Sequence, residues 1–595
     1  METVQFSYSF NLADYIVIIG YLVMLISVGF LMKKLCSNVE DYFIGGNRVS
    51  WWLAGASCFM MSFSAWTFTG AAGFAYKYGI LIMSLFHFNA IAYIFVGFFI
   101  AKRCRQTRKV TYLQIVYDRF GRVAEQFFTW IQIPMMLFGG AIWLTGLATF
   151  ISVAFGFPMD YTIVISGIII LIYSTLGGSW GVMTTDFLQS LILMALTIVI
   201  AALTVIKADG LSSLIANIEP SKLNFINPEH PRSWIFAYFL QTFILFSSIN
   251  GAQRFLAVRD GKSAGKAAFF AAALFIVGPL IWFIPPIAAS HYFPDIAAVL
   301  PSLSHPQDAA YVLMGLKVLP HGLAGLLIMV IFAATLSSMD TAVNQNAAIV
   351  CMNIYKPLIR PKATEREMFI VAHIVNVFLG ILVISGAFVF SRQTELALFD
   401  LMLLLSSSIA MPIAFPFLLV YWVKKTPPWS AVASVLASSI FSALSKTFGF
   451  LKVPHEWATD VLNSTGLFSL DPSSEWPLMF NIGGIIIIGG TIFLLSSLFW
   501  SGTDDLVKKR IAELYRRMNT PVDYETENVG SEDNRQFFIV GILAMIVGFG
   551  LMIITLCPNT MVDRVAILIT GLIVAVVGYM LYICGRRYVK QLETK

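Results

Sequence analysis

The sequence predicts an all-α, multi-pass membrane protein built on an inverted repeat, and three observations carry that reading. Of its 595 residues, 58% are hydrophobic and only 12% charged, with a mean hydropathy of +0.79, far outside the soluble range. Apolar runs long enough to cross a bilayer recur about fifteen times. Two of those runs, five apart, are interrupted in their middle by Gly and Ser.

In chain order the runs cover 13–32, 50–70, 80–101, 124–155, 161–175, 185–205, 234–253, 267–289, 323–352, 367–390, 396–422, 429–448, 480–500, 536–557 and 564–584. The run at 161–175 is short, and the one at 429–448 carries many small polar residues. Loop charges test the count. With the N-terminus outside, every second loop is cytoplasmic, and those loops hold the basic clusters Lys33/Lys34, Lys102–Lys109, Arg254–Lys266, Lys356–Arg366, Lys424/Lys425, Lys508–Arg517 and Arg586/Arg587. A missed or invented span would reverse this alternation, and it never reverses. The expected C-terminus is therefore cytoplasmic and the compartment the plasma membrane (the inner membrane if the host is bacterial). Topology accounts for the net charge of +6, so no nucleic-acid partner is expected. Phe10–Asp14 leads into the first run without a basic n-region, unlike a cleavable signal.

Between the runs the chain offers little. The outer loops 206–233, 290–322 and 449–479 are rich in Pro, Ser and Asn, and Asn463-Ser464-Thr465 is a glycosylation sequon. The six cysteines suggest no structural disulfide, and the seven histidines show no metal-ligand spacing. The loop 501–536 contains an amphipathic segment, Asp504–Met518, read as a solvated connector or a helix lying on the membrane surface.

The ninth run carries the chemistry. At its middle stand Ser337, Ser338, Asp340 and Thr341, then Asn344 and Gln345. An ionisable group at membrane depth costs about 2.5–3.5 kcal/mol on insertion scales, so it faces the protein interior and marks an ion or solute path. Helical spacing puts Ser337, Thr341 and Asn344 on one face. Hydroxyl, carboxylate and amide oxygens are the ligands that hard cations such as Na⁺ require. The alternative is that the hydroxyls bond backward to helix carbonyls or join neighbouring helices.

The two interrupted runs are the second, with Gly55-Ala56-Ser57, Ser62-Phe63-Ser64 and Gly70, and the seventh, ending in Ser247-Ser248-Ile249-Asn250-Gly251. Breaks five runs apart point to two five-helix repeats inserted with opposite orientation and a binding site between them. The expected organisation is 1–45 for the N-terminal segment and first helix, 46–225 and 226–425 for the repeats, and 426–595 for about four accessory helices.

From Asp41 to Lys425 the chain resembles the sodium:solute symporter family. The motifs are Asp41-Tyr42-Phe43, Gly45-Gly46, Trp51-Trp52 and Gly55-Ala56-Ser57; Gly177-Gly178-Ser179-Trp180-Gly181-Val182 with Thr185-Asp186 and Gln189; Gln253-Arg254-Phe255-Leu256-Ala257; and Ala334-Thr335-Leu336-Ser337-Ser338 leading to Asn353-Ile354-Tyr355-Lys356. The resemblance implies a leucine-transporter-like fold, with one helix before the repeats and about four after. It also implies a main sodium site of Ser337 and Ser338 hydroxyls with the carbonyls of Ala334, Met60 and Phe63. Only an unwound helix can turn carbonyls toward an ion. A second cation site, present in some members, falls on Asp186, Asp340 and Thr341, with Asp340 a departure where Ser or Thr is usual. Two facing carboxylates at low dielectric need a cation between them or a shared proton, and both readings stand.

By the same resemblance the solute contacts fall on Trp66, Thr67, Phe86, Asn89 and Gln241, with His87 beside them. A stacking face and neutral hydrogen-bonding groups suit a neutral polar organic solute, a sugar or polyol first. The implied activity is sodium-coupled symport by alternating access, with Na⁺ as coupling ion, no organic cofactor and no catalytic set. Proton-coupled symport on the same fold and a membrane solute sensor are the alternatives. A sensor usually carries an output domain, and the sequence stops soon after its last apolar run.

Overall fold

The computed structural model describes residues 8–33, 45–174, 179–248, 253–301, 303–447, 449–523, 527 and 535–593, with the side chains of 29–33, 45, 179, 180, 253, 341, 535 and 587–593 left aside. Motif residues Asp41–Phe43, Gly177, Gly178 and Ile249–Gly251 lie outside the described residues. Those described form helices joined by short turns, plus one isolated bridge between Val49 and Val258.

The long helices are α1 (Leu12–Lys33), α2, α3 and α4 (Trp51–Met61, Ala65–Phe68, Gly70–Tyr78), α5 (Leu81–Phe99), α6 (Tyr112–Phe155), α7 (Met159–Ser174), α8 (Ser179–Lys207), α9 (Arg232–Ser247) and α10 (Gly261–Val277). There follow α11 (Leu323–Ile349), α12 (Glu365–Ser391), α13 and α14 (Leu398–Leu405, Met411–Leu419), α15 (Ser430–Leu444), α16 (Leu478–Leu495), α17 (Asp505–Asn519), α18 (Arg535–Ile553) and α19 (Met561–Glu593). Each apolar run of the sequence is mainly helical among the described residues. Among the described residues, ten helices are long and apolar enough to cross a membrane, and a pair bent by 97°, Ser430–Leu444 with Gly449–Ser464, would make eleven. The other runs form shorter or interrupted helices, so length alone does not certify all the expected crossings.

The second run is broken twice. Ser62 leaves the helix at φ −94°, ψ 2°, Ser64 is extended at φ −153°, ψ −179° and caps α3 by accepting from Trp66 N, and Thr69 departs again at φ −118°, ψ −82°. Four hydroxyl residues in eight positions (Ser62, Ser64, Thr67 and Thr69) compete with the backbone for hydrogen bonds, which is why the helix opens there. In the seventh run α9 ends where Ser248 turns extended. A π turn at Ser406–Ala410 joins α13 to α14, a distortion frequent at functional sites.

Small residues let helices meet closely. A Cβ on Gly55 would lie 2.7 Å from the Ala267 carbonyl, which brings α2 against α10. Gly541 and Gly548 of α18 face Gly578 and Gly571 of α19, and Gly585 one heptad on meets the backbone of Phe538, leaving backbone against backbone. Gln536, at the start of α18, accepts from Ser50 N (3.0 Å) and donates to Arg48 O (2.9 Å), fixing this hairpin beside α2.

The segment 504–518 is neither a free connector nor a surface helix. As α17 it buries Ile511, Leu514, Tyr515 and Met518. Tyr515 donates to the Val420 and Val423 carbonyls just past the end of α14 (2.6 and 2.9 Å). Its amphipathic stripe, read as membrane-seeking, covers protein instead.

Candidate functional site

The junction between α11 and the broken second run is built from neutral oxygens. Ser338 is 3% exposed, and its Oγ lies 2.5 Å from Phe63 O, 3.2 Å from Met60 O and 3.2 Å from Ala334 O. Met60 and Phe63 flank the break, and both carbonyls turn toward α11, although Met60 O also accepts from Phe63 N at 3.0 Å. Thr335, one turn before Ser338, accepts from Ala65 N across the break at 2.7 Å and holds its far lip. The sequence did not single out that bond, because its partners are 270 positions apart.

Ser337 does not share this junction. One residue on an α-helix is a rotation of about 100°, and Ser337 instead donates to Asp186 Oδ1 of α8. Ser57 of α2 donates to the other oxygen, and Arg254 Nη2 stands 3.8 Å from it. Asp186 is fully buried, as is Gln189 one turn on, whose amide atoms find no protein partner. Asp340 is also buried. Asn344 donates to its Oδ1 (2.7 Å), and Asn376 of α12 donates to Asn344 in turn (2.9 Å), while Asp340 Oδ2 lacks a hydrogen-bond partner. Thr341 follows on the same helix, its side chain outside the described atoms.

The residues expected at the solute divide into two groups. Trp66 lies between Phe86 (centroids 6.4 Å, 18°) and Phe399 (5.9 Å, 16°), with its indole donating to Leu398 O at 2.9 Å. Thr67 is buried with no partner for its hydroxyl. Gln241 donates to Ser406 at 2.8 Å, leaving its Oε1 unpaired. His87 faces elsewhere, with one ring nitrogen 2.5 Å from Met83 O and the other 3.0 Å from Ile276 O. Asn89 is half-buried on the same helix.

A cavity of about 310 Å³ opens beside Ser338, lined among others by Ser62, Tyr93, Gln132, Trp143 and Gln345. Trp66 and Thr67 do not line it. Of these residues Ser62 and Gln345 had a signal in the sequence, as parts of the polar interruptions of the second and ninth runs. Among the described residues no group of three or more His, Cys, Asp or Glu side chains could hold a transition metal; the oxygens gathered here suit a hard monovalent cation.

Comparisons with known proteins follow the same lines. A family model described as the Sodium:solute symporter family matches residues 42–437. The chain is 25% identical over 458 residues to the sodium/sialic acid symporter SiaT of Proteus mirabilis, covering 74% of this chain and 91% of that one. It is 27% identical over 492 residues to a sodium/glucose cotransporter of Vibrio parahaemolyticus, covering 75% and 87%. The substrate-bound, outward-open structure of a Na⁺-coupled sialic acid symporter superposes with a TM-score of 0.68 at 21% identity, over 83% of this chain and 99% of that chain.

Proposed function

This chain belongs to the sodium:solute symporter family and is a multi-pass membrane transporter coupled to sodium, and we propose that its main coupling ion sits at Ser338. In this reading the ion is held by the Ser338 hydroxyl and the carbonyls of Ala334, Met60 and Phe63, with Ser337 contributing as its rotamer allows. One observation carries it: three carbonyls from two helices converge on one buried hydroxyl where a helix is broken. A coordination shell of that type needs no net charge, and the break supplies it ready-made.

The repeats are assigned to 46–225 and 226–425, with the N-terminus outside, the C-terminus cytoplasmic and the plasma membrane as compartment. In that orientation the cavity beside Ser338 lies in the middle and inner half of the membrane. The Trp66, Phe86 and Phe399 rings close the opposite side. The arrangement is that of a transporter open inward, with its ion junction reachable from the low-sodium compartment.

The proposed solute is a neutral polar one, a sugar or polyol, consistent with the unpaired Thr67 hydroxyl and Gln241 carbonyl. Trp66 and Phe86 would stack on it when the outer side opens, with Asn89 nearby. His87 has both nitrogens on carbonyls in this state and offers the solute nothing. One charge crossing 100 mV contributes about 2.3 kcal/mol, and a tenfold sodium gradient adds roughly 1.4 kcal/mol. A single ion therefore sustains solute gradients of several hundredfold.

A second cation site is proposed at Asp186, Asp340 and Thr341. A competing reading has a proton at Asp340 instead. It is favoured by Arg254, whose guanidinium already places a positive charge 3.8 Å from Asp186. Uptake of labelled sugars, polyols and sialic acids into vesicles, with imposed Na⁺ or H⁺ gradients, tests the whole. Accumulation driven by Na⁺ is expected. Binding without accumulation would make the chain a sensor, and accumulation driven by H⁺ alone would overturn the sodium junction.

A further inference from the structure

On the side opposite the cavity, the loop between α10 and α11 folds over the broken run and makes a 3-10 turn, Pro306–Ala309. Asp308 in this turn is 2% exposed. Its Oδ1 lies against the bare Cα of Gly73, where a Cβ would overlap it, and finds no hydrogen-bond partner. Its carboxyl faces the backbone of Leu398, the residue whose carbonyl accepts from the Trp66 indole. The start of α13 is thus held from two sides, by Asp308 on the loop and by Trp66 on α3. Phe399 completes the closure, its ring 4.2 Å from that of Phe74 on α4.

We propose that Asp308 is an external proton site, filled while this side is closed and emptied when it opens. An ionised carboxylate buried with one oxygen unpaired is costly, and it neutralises by taking up a proton. Lifting the turn off α4 hydrates the group, which then releases that proton to the outer solution. The surroundings agree. Burial raises the Asp308 carboxyl to about 7. Asp400 of α13 pushes it the same way, and Lys77 of α4 and Glu229 act on Asp400. His305, in the same loop, is lowered by burial and stays neutral at that pH. The other polar residues lining the 100 Å³ pocket beside it are Thr145, Thr149, Ser304, Ser391 and Gln393, none of them charged.

The sign follows from linkage. Closed, the group binds its proton up to about pH 7; open and hydrated, only up to about pH 4. The proton therefore favours closure fully below the lower value, and that contribution is lost as pH rises through the upper one. Within this window the closed-to-open ratio falls by up to about tenfold per pH unit.

The test places spin labels on the full chain by Pro301→Cys on the loop and Tyr161→Cys on α7, with the native cysteines replaced, and measures their separation in Na⁺-free buffer. Wild type is expected to hold one short distance at pH 5.5 and to gain a longer population at pH 8.5, the ratio moving on the order of tenfold. Asp308→Asn, neutral at any pH, should keep the short distance at both. Asp308→Ala, which loses the Leu398 contact, should populate the long one at both. An unchanged wild-type distribution, or the same pH response in Asp308→Asn, would overturn the proposal. Because no sodium is used, either outcome leaves the Ser338 reading to be judged by itself.

Discussion

Two adjacent serines of α11 end in different chemistries. Ser338 enters a junction of backbone carbonyls with no formal charge, whereas Ser337 enters a pocket of a carboxylate, a guanidinium and a second serine. A neutral carbonyl junction can accept an ion and release it without stranding a buried charge. In the charged pocket, removing any member leaves the others uncompensated. The first suits an ion that comes and goes each cycle. The second suits a strut tying α2, α8 and α11 together, or a site where a second cation or a proton binds with Asp340.

Substitutions can sharpen or break this contrast. The largest effect is expected from Asp186→Asn, which leaves Arg254 buried without its carboxylate. Breaking a buried pair costs about 3–5 kcal/mol, read as a marked fall in thermal stability, and Arg254→Gln in the same chain should restore part of it. Undiminished stability in Asp186→Asn would remove the strut. Next comes Ser338→Ala. Losing a hydroxyl that contacts a charged ligand costs about 1.5–3 kcal/mol, so half-saturating Na⁺ should rise roughly ten- to a hundredfold while the protein still folds. Asp340→Asn should change the charge moved per solute by one, measured as a reversal potential; an identical stoichiometry would leave Asp340 only its bonds to Asn344. The smallest effect belongs to Ser337→Ala, at most about tenfold in Na⁺ requirement. A larger loss there than at Ser338 would invert the comparison.

The sequence made one of these regions legible and half of the other. The Ser-rich interruption in the second run and the paired serines in the ninth are local signals, while the carbonyls that join them came only from the family resemblance. Asp186 and Asp340 stood out as carboxylates within apolar runs. Which side chains they pair with did not. Ser57 and Arg254 reach Asp186 from elsewhere in the chain, Asn376 is a polar residue in a run that otherwise reads as plain span, and no periodicity says which way such a side chain turns. The same limit explains His87, next to the expected solute residues in sequence but turned toward α10's Ile276. It explains α17 as well: its amphipathic stripe was visible, while what the stripe covers depends on helix ends about ninety residues away.

The most direct measurement is an experimental density map of the full chain prepared in sodium and again with sodium replaced by choline. The account predicts a spherical feature enclosed by Ser338 Oγ and the carbonyl oxygens of Ala334, Met60 and Phe63, present only in sodium. A sodium-dependent feature between Asp186 and Asp340 alone, with the Ser338 junction empty and unchanged, would contradict it.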